Sequence, residues 1–298
     1  MNKVLLPLAT SVLFSGSYIA GKYTTVDLGP LTTTLLRYLI ALVFLSGLLA
    51  HYKLRSLELR RGDIVPVVVL GLTGIVGYHY FFFLSLRYTD VANTAIINAL
   101  SPVLTGFAAA LVIGERLSRR NHLGVVIALV GVLVLLSRGD MQTFTRFSFN
   151  KGDVLMLLSV VSWMIYALLV KTMVSRYSSF TLTFYSTLSG VLILVLLAPR
   201  ESALDQIGQM SVESLVSVVY MGVCASGLGY LLYNLSIREI GPTRTSSFVY
   251  SVIPLVVAVL AWMFFREAIT PIMVASVALI LLGLRLMLTD APQNADSR

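Results

Sequence analysis

Charge is scarce in this 298-residue chain: Asp, Glu, Lys and Arg together make up 12% of it, against 57% from the apolar set and a mean hydropathy of +0.88. Soluble domains carry about twice that charged fraction, so a soluble enzyme is excluded. Cysteine is nearly missing. Cys224 stands alone and cannot close an internal disulfide, and with three histidines no Cys/His ligand set forms. Disulfide staples, structural metals and cofactors are therefore not expected. Acidic residues are absent from the middle of the apolar runs: Asp27, Asp63, Asp90, Glu115, Asp153, Glu213, Glu239 and Glu267 all fall in loops or near run ends.

What remains is a succession of apolar segments, each near the roughly 20 residues that cross a bilayer core. Read against loop signals, they predict helices at 4–23, 30–49, 64–86, 91–113, 120–137, 152–174, 179–198, 213–237, 242–265 and 271–288. Pro30, Pro242 and Pro271 fall at first-turn positions, where a missing N–H is harmless. The expected fold is all-α, a polytopic membrane protein of ten transmembrane helices. The lone Lys3 ahead of the first run, with no small-residue cleavage site, reads as a retained span rather than a signal peptide. The excess of 22 Lys+Arg over 14 Asp+Glu reflects topology here, not nucleic-acid binding. A cytoplasmic N-terminus puts fourteen basic residues on that side and seven on the other, which favours both termini inside.

A shift of 152 residues lays the chain on itself. It pairs Gly77 with Gly229, Tyr78 with Tyr230, Pro102 with Pro254, Glu115 with Glu267 and Gly131 with Gly283. Two five-helix units follow, at 1–138 and 152–289, joined by a loop at 139–151 and trailed by a polar tail at 290–298. Five is odd, so the second unit enters the membrane inverted. Inverted repeats place a substrate site near the midplane, where the halves meet around a central cavity. Transport is the expected function.

The stretch SPVLTGFAAALVIGERL from Ser101 to Leu117 and GVVIALVGVLVL from Gly124, echoed by IPLVVAVLAWMFFREAI from Ile253, resemble the EamA-type domains of the drug/metabolite transporter superfamily. LRYLIAL around Arg37 and SWMIYAL around Trp163 are similar to the same pattern, although the seventh span has no counterpart of Arg37. The resemblance covers nearly the whole chain. It implies export of small metabolites, amino acids among them, across the inner membrane through a central cavity.

Polar groups in hydrocarbon must face protein or water. Ser11, Ser15, Tyr18 and Lys22 share one helix face, as do Thr94, Asn98, Ser101 and Thr105; Ser226, Tyr230, Tyr233 and Asn234 form a third cluster, and Ser246, Ser247, Tyr250 and Ser251 a fourth. The serines read as helix packing, whereas Asn98, Tyr230 and Asn234 read as cavity lining. Pro102 and Pro254 free the carbonyls of Asn98 and Tyr250, which either accept from a substrate or mark packing kinks. His79, beside Tyr78, is the only titratable candidate for a mid-membrane proton site. Trp163 is either a stacking platform for a flat ligand or a packing residue. Lys22 either snorkels to headgroups or attracts a carboxylate. Arg37 needs a partner or a cavity and reads as structural pairing, and Glu115 and Glu267 read as a latch or a gate.

Three sharper-looking signals fail. GSYIAGKY from Gly16 departs from the phosphate-loop pattern at Tyr23 and lies within a span. The Asn234–Ser236 sequon is likewise inside a span. Ser226 with His79 would make an intramembrane hydrolase dyad, but no third orienting group is visible. With no acidic residue mid-span, gradient-driven export is the simplest coupling. The leading substrate class is amino acids, aromatic ones suggested by Tyr78, Tyr230, Trp163 and His79; a nucleotide-sugar or other metabolite carrier is one alternative, and an intramembrane hydrolase built on Ser226 and His79 is the alternative from a different class.

Overall fold

The computed structural model describes residues 5–51, 58–113, 118–136, 149–240 and 242–289, and no strand occurs among them. Helix α1 is Leu5–Thr24 and α2 is Pro30–His51. Helix α3 runs over 64–85 as an α segment Ile64–Leu70, a wide π turn Gly71–Gly77 and a second α segment Tyr78–Ser85. Helix α4 is broken into Val91–Asn98 and Ser101–Ile113. Next come α5 (Arg119–Leu136), α6 (Lys151–Met173) and α7 (Ser179–Leu197), then a short helix at Ala203–Gly208. Helix α8, over 212–240, repeats the form of α3: Val212–Tyr220, a π turn Met221–Gly229, then Tyr230–Ile240. Helices α9 (Pro242–Phe265) and α10 (Pro271–Thr289) complete the fold.

Among the described residues, seven helical stretches are long and apolar enough to cross a membrane: Pro30–His51, Arg61–Ser85, Val91–Ala108, Lys151–Met173, Ser179–Glu201, Val212–Tyr233 and Phe248–Phe265; two shorter apolar helices are His122–Leu135 and Pro271–Leu286. The outer surface is aliphatic. Val43, Val65, Leu111, Val112 and Leu196 are each more than 70% exposed, a surface that water would not tolerate and acyl chains do. The chain is a polytopic membrane protein.

Both π turns end on a glycine followed by a tyrosine, Gly77–Tyr78 and Gly229–Tyr230, which are the pairs related by the 152-residue shift. Helix α2 lies against the π turn of α8, and α7 against that of α3. The contact between α5 and α10 is reciprocal as well. A β-carbon at Gly131 would press on Leu279 and the Ser276 carbonyl, and one at Gly283 on Ala128 and the Gly124 carbonyl; 124 and 276 are again 152 apart. Small residues let the two backbones approach closely, which is how helices associate in lipid.

The two prolines related by the shift sit differently: α4 breaks at Ala99–Leu100 with Pro102 in the first turn of the restarted segment, while α9 continues as one helix with Pro254 inside it. The side chains at the equivalent positions supply the reason. Ser101 donates to Asn98 Oδ1 across the break at 2.9 Å; their counterparts, Tyr250 and Ile253, have no such pair to offer.

One end of the bundle is stitched by charge. Asp27, between α1 and α2, accepts from the Ser211 N–H and from the Ser211 and Ser214 hydroxyls at the start of α8. Glu201, after α7, accepts from Leu31 and Thr32 at the start of α2. Glu267, after α9, accepts from Val91 and Ala92 at the start of α4. Each carboxylate meets the orphan N–H groups and the positive dipole end of a helix from the other half of the chain. The hydroxyls and N–H around Asp27, those of Ser211 first, then the Ser214 hydroxyl, hold its carboxyl below the usual 3.8.

Candidate functional site

Where the halves meet, α1, α2, α3, α4, α6, α8 and α9 enclose a cavity of about 30 Å³. That is room for a water or two, far less than an organic ligand occupies, so side chains must part before a substrate fits. Seven residues expected from sequence line it: Tyr18, Tyr78, His79, Asn98, Trp163, Tyr230 and Tyr250. Arg37 joins them, and so do Phe14, Ser17, Phe82 and Ile253, which sequence reasoning missed. Phe14 and Phe82 each lie one helical turn from a candidate tyrosine, Tyr18 and Tyr78, on the same helix face, which is the signal that could have found them. Ser17 lies off the stripe of Ser11, Ser15 and Tyr18.

The π turn of α3 builds the aromatic wall. A β-carbon at Gly74 would collide with the Tyr166 ring, so glycine there lets α6 close in. Carbonyls that a π turn displaces from ordinary helix bonding need other donors in a membrane. The Ser162 hydroxyl donates to Thr73 O at 3.1 Å and the Ser159 hydroxyl to Tyr78 O at 2.7 Å. These two bonds seat Trp163 against Tyr78, ring centroids 5.0 Å apart, with Tyr166 stacked at 4.9 Å and Tyr230 edge-on at 5.9 Å. Trp163 is thus both a packing residue and an element of the cavity wall.

His79 is held by two groups. Its Nδ1 donates to the Ile75 carbonyl at 3.1 Å, since a carbonyl only accepts. The Tyr38 hydroxyl stands 3.2 Å from Nε2 and 3.2 Å from the Tyr230 hydroxyl, and bridges the two. Asn98 Nδ2 donates to the hydroxyls of Tyr18 at 2.6 Å and Tyr78 at 3.1 Å. Arg37 is 3% exposed and extends its Nε to Ser226 Oγ at 2.5 Å, with Nη1 3.8 Å from Met221 Sδ and the guanidinium 5.6 Å from the Tyr38 ring. Arg37 therefore finds both a partner and the cavity. Ser226 is turned to Arg37 and His79 to Ile75 and Tyr38, so the dyad of an intramembrane hydrolase is not assembled.

Other sequence candidates go elsewhere. Lys22 lies outside the cavity wall: its Nζ donates to Leu86 O at 2.6 Å and Thr89 O at 3.4 Å, capping the C-terminal end of α3, where a cation is favoured. Ser11 and Ser15 bond back to the carbonyls four residues earlier, as packing serines do. Pro102 and Pro254 are not in the wall, and Glu267 is spent on the start of α4. Glu115 and the side chain of Asn234 lie outside the described residues. No cluster of His, Cys, Asp and Glu suited to a metal occurs among the described residues.

Comparison with known proteins fits this architecture. The EamA-like transporter family model matches residues 1–137 and again 150–289. The chain is 28% identical over 263 residues to the uncharacterized transporter YyaM of Bacillus subtilis, covering 88% of this chain and 86% of that one. A probable terminal-alkyne amino-acid exporter of Streptantibioticus cattleyicolor is 22% identical over 76% of this chain and 74% of its own. An S-adenosylmethionine/S-adenosylhomocysteine transporter of Chlamydia trachomatis is 24% identical, covering 95% and 88%. A crystal structure at 19% identity superposes with a TM-score of 0.68 over 97% of this chain and 98% of its own, a likeness of fold. Since the family model claims nearly all of both halves, the chain belongs to the EamA-like transporter family.

Proposed function

We propose that this transporter exports small amphipathic metabolites, amino acids and aromatic ones foremost, across the inner membrane by alternating access, with both termini in the cytoplasm. The proposed architecture is ten transmembrane helices in two inverted five-helix repeats around the central cavity. Three observations support it: the twice-matched family model, the paired π turns of α3 and α8, and the reciprocal contact of α5 with α10.

One observation carries the functional reading. The cavity lies between the halves, shut to about 30 Å³, and its wall combines aromatic faces with a few fixed polar groups and one cation. Such a wall suits a flat or amphipathic solute. Rocking of the halves would open it to one side at a time. The amino-acid exporter among the relatives points the same way. The other carrier reading, a nucleotide sugar, would call for several intramembrane cations around its phosphates, and among the described wall residues Arg37 is the single Lys or Arg.

The test is counterflow in proteoliposomes loaded with unlabelled phenylalanine, tyrosine or tryptophan, with the labelled amino acid outside. A carrier gives transient accumulation above empty vesicles. No accumulation for any of the three removes the aromatic amino-acid assignment, and equilibration without counterflow would indicate an open pore.

A further inference from the structure

A buried guanidinium is costly in lipid unless an anion or a full set of acceptors meets it. Arg37 has neither among the described residues. Of its five N–H donors only Nε reaches an oxygen, that of Ser226; the Nη1 contact is to a thioether sulfur, a weak acceptor. No Asp or Glu among the described residues lines the cavity that Arg37 borders. In the same wall the Ser17 hydroxyl is buried without a hydrogen-bond partner, which is rare for a buried polar group. Two donors without matching acceptors therefore share one small chamber.

We infer that the transported solute carries a carboxylate and that Arg37 and Ser17 are its anchor. This rests on the transport reading above and states which charged end of an amino acid the protein recognises. The bond from Nε to Ser226 fixes the plane of the guanidinium, leaving the edge formed by the two terminal nitrogens for a two-pronged pairing with a carboxylate. Ser226 is thus a positioning residue for Arg37. The ammonium end meets no carboxylate among the described wall residues; the faces of Trp163, Tyr78 and Tyr230 offer it only the weaker attraction of π systems.

The anchor is tested with four probes that compete for the purified full-length protein in a thermal-shift assay: L-phenylalanine and 3-phenylpropionate, which carry a carboxylate, and L-phenylalaninamide and phenethylamine, which do not. The wild type should favour the two acids. Arg37→Gln should reduce that preference by about ten- to a hundredfold, the range expected for losing charge-assisted hydrogen bonds. Arg37→Lys should retain part of it, and Ser17→Ala should lose a smaller share. Gel filtration checks that each variant is folded; if Arg37→Gln is not, the wild-type panel, Arg37→Lys and Ser17→Ala decide. Equal binding of acids and non-acids, or an unchanged preference in Arg37→Lys and Ser17→Ala, overturns the anchor and leaves the amino-acid reading standing. Binding of none of the four by the wild type overturns both.

Discussion

Glu267, in the turn after α9, accepts hydrogen bonds from the backbone N–H groups of Val91 at 3.0 Å and Ala92 at 3.1 Å, so a residue near the end of the chain caps a helix that begins 176 positions earlier. The turn that delivers it is closed by Arg266 at φ 56°, with Arg266 N–H returning to Trp262 O and Glu267 N–H to Ala261 O. Glu267→Ala removes both acceptors from a helix start and should cost roughly 1–2 kcal/mol. Glu267→Gln, which keeps an acceptor and loses the charge, should cost less. Thermal unfolding of the purified variants in detergent checks the order; equal midpoints for wild type and Glu267→Ala would deny the cap its structural role.

The Asp27 cap gives a pH dependence of known sign. Its folded carboxyl titrates below the ordinary 3.8 because the ionised form accepts from Ser211 and Ser214. That stabilisation is fully present above the unfolded value and fades as pH falls through the lower, folded one. Asp27→Asn should therefore be less stable than wild type at neutral pH, and the gap should narrow below about pH 4. A gap constant from pH 7 to pH 3 would contradict the assignment.

Trp163→Ala removes the ring that Tyr78, Tyr166 and Tyr230 pack around. The expected loss of counterflow is roughly tenfold or more, since each of the three aromatic pairs contributes about 1 kcal/mol beyond burial, and Trp163→Phe should recover part of it. His79→Ala, which strips a partner from Tyr38, should also impair counterflow while folded protein remains in the membrane. Full activity in both alanine variants would move the binding site away from this cavity.

Gly131 and Gly283 sit at the reciprocal contact of α5 with α10. Gly131→Val or Gly283→Val forces a branched side chain into a neighbouring helix and should destabilise by about 1–3 kcal/mol, whereas Gly47→Val, at a position with open space around it, should be nearly neutral. Equal stability of the three variants would mean that α5 and α10 are not closely packed.

The sequence by itself determined where the helices lie. Each span depends on the apolar content of its own twenty or so residues and on local punctuation such as Pro30, Pro242 and Pro271, all three of which occupy the first helical position. The shift of 152 residues was equally local information, and it marked the glycines that close both π turns. Most of the aromatic cavity wall was legible too, because polar and aromatic groups in the middle of a span have few places to go.

Tertiary structure alone decided what each polar group does there. Tyr18 and Lys22 share one face of α1, yet the tyrosine enters the cavity and the lysine caps α3. Helix α4 breaks where α9 does not, although both carry the same proline, because only Asn98 and Ser101 can bond across the gap. Arg37 borders the cavity without an acidic partner among the described residues because α8 presents it with Ser226 and Met221. The physical reason is the same in each case. Hydropathy is a property of a residue in its bilayer and can be read along the chain, whereas hydrogen-bond partners depend on which helices become neighbours and at what register, and packing sets both.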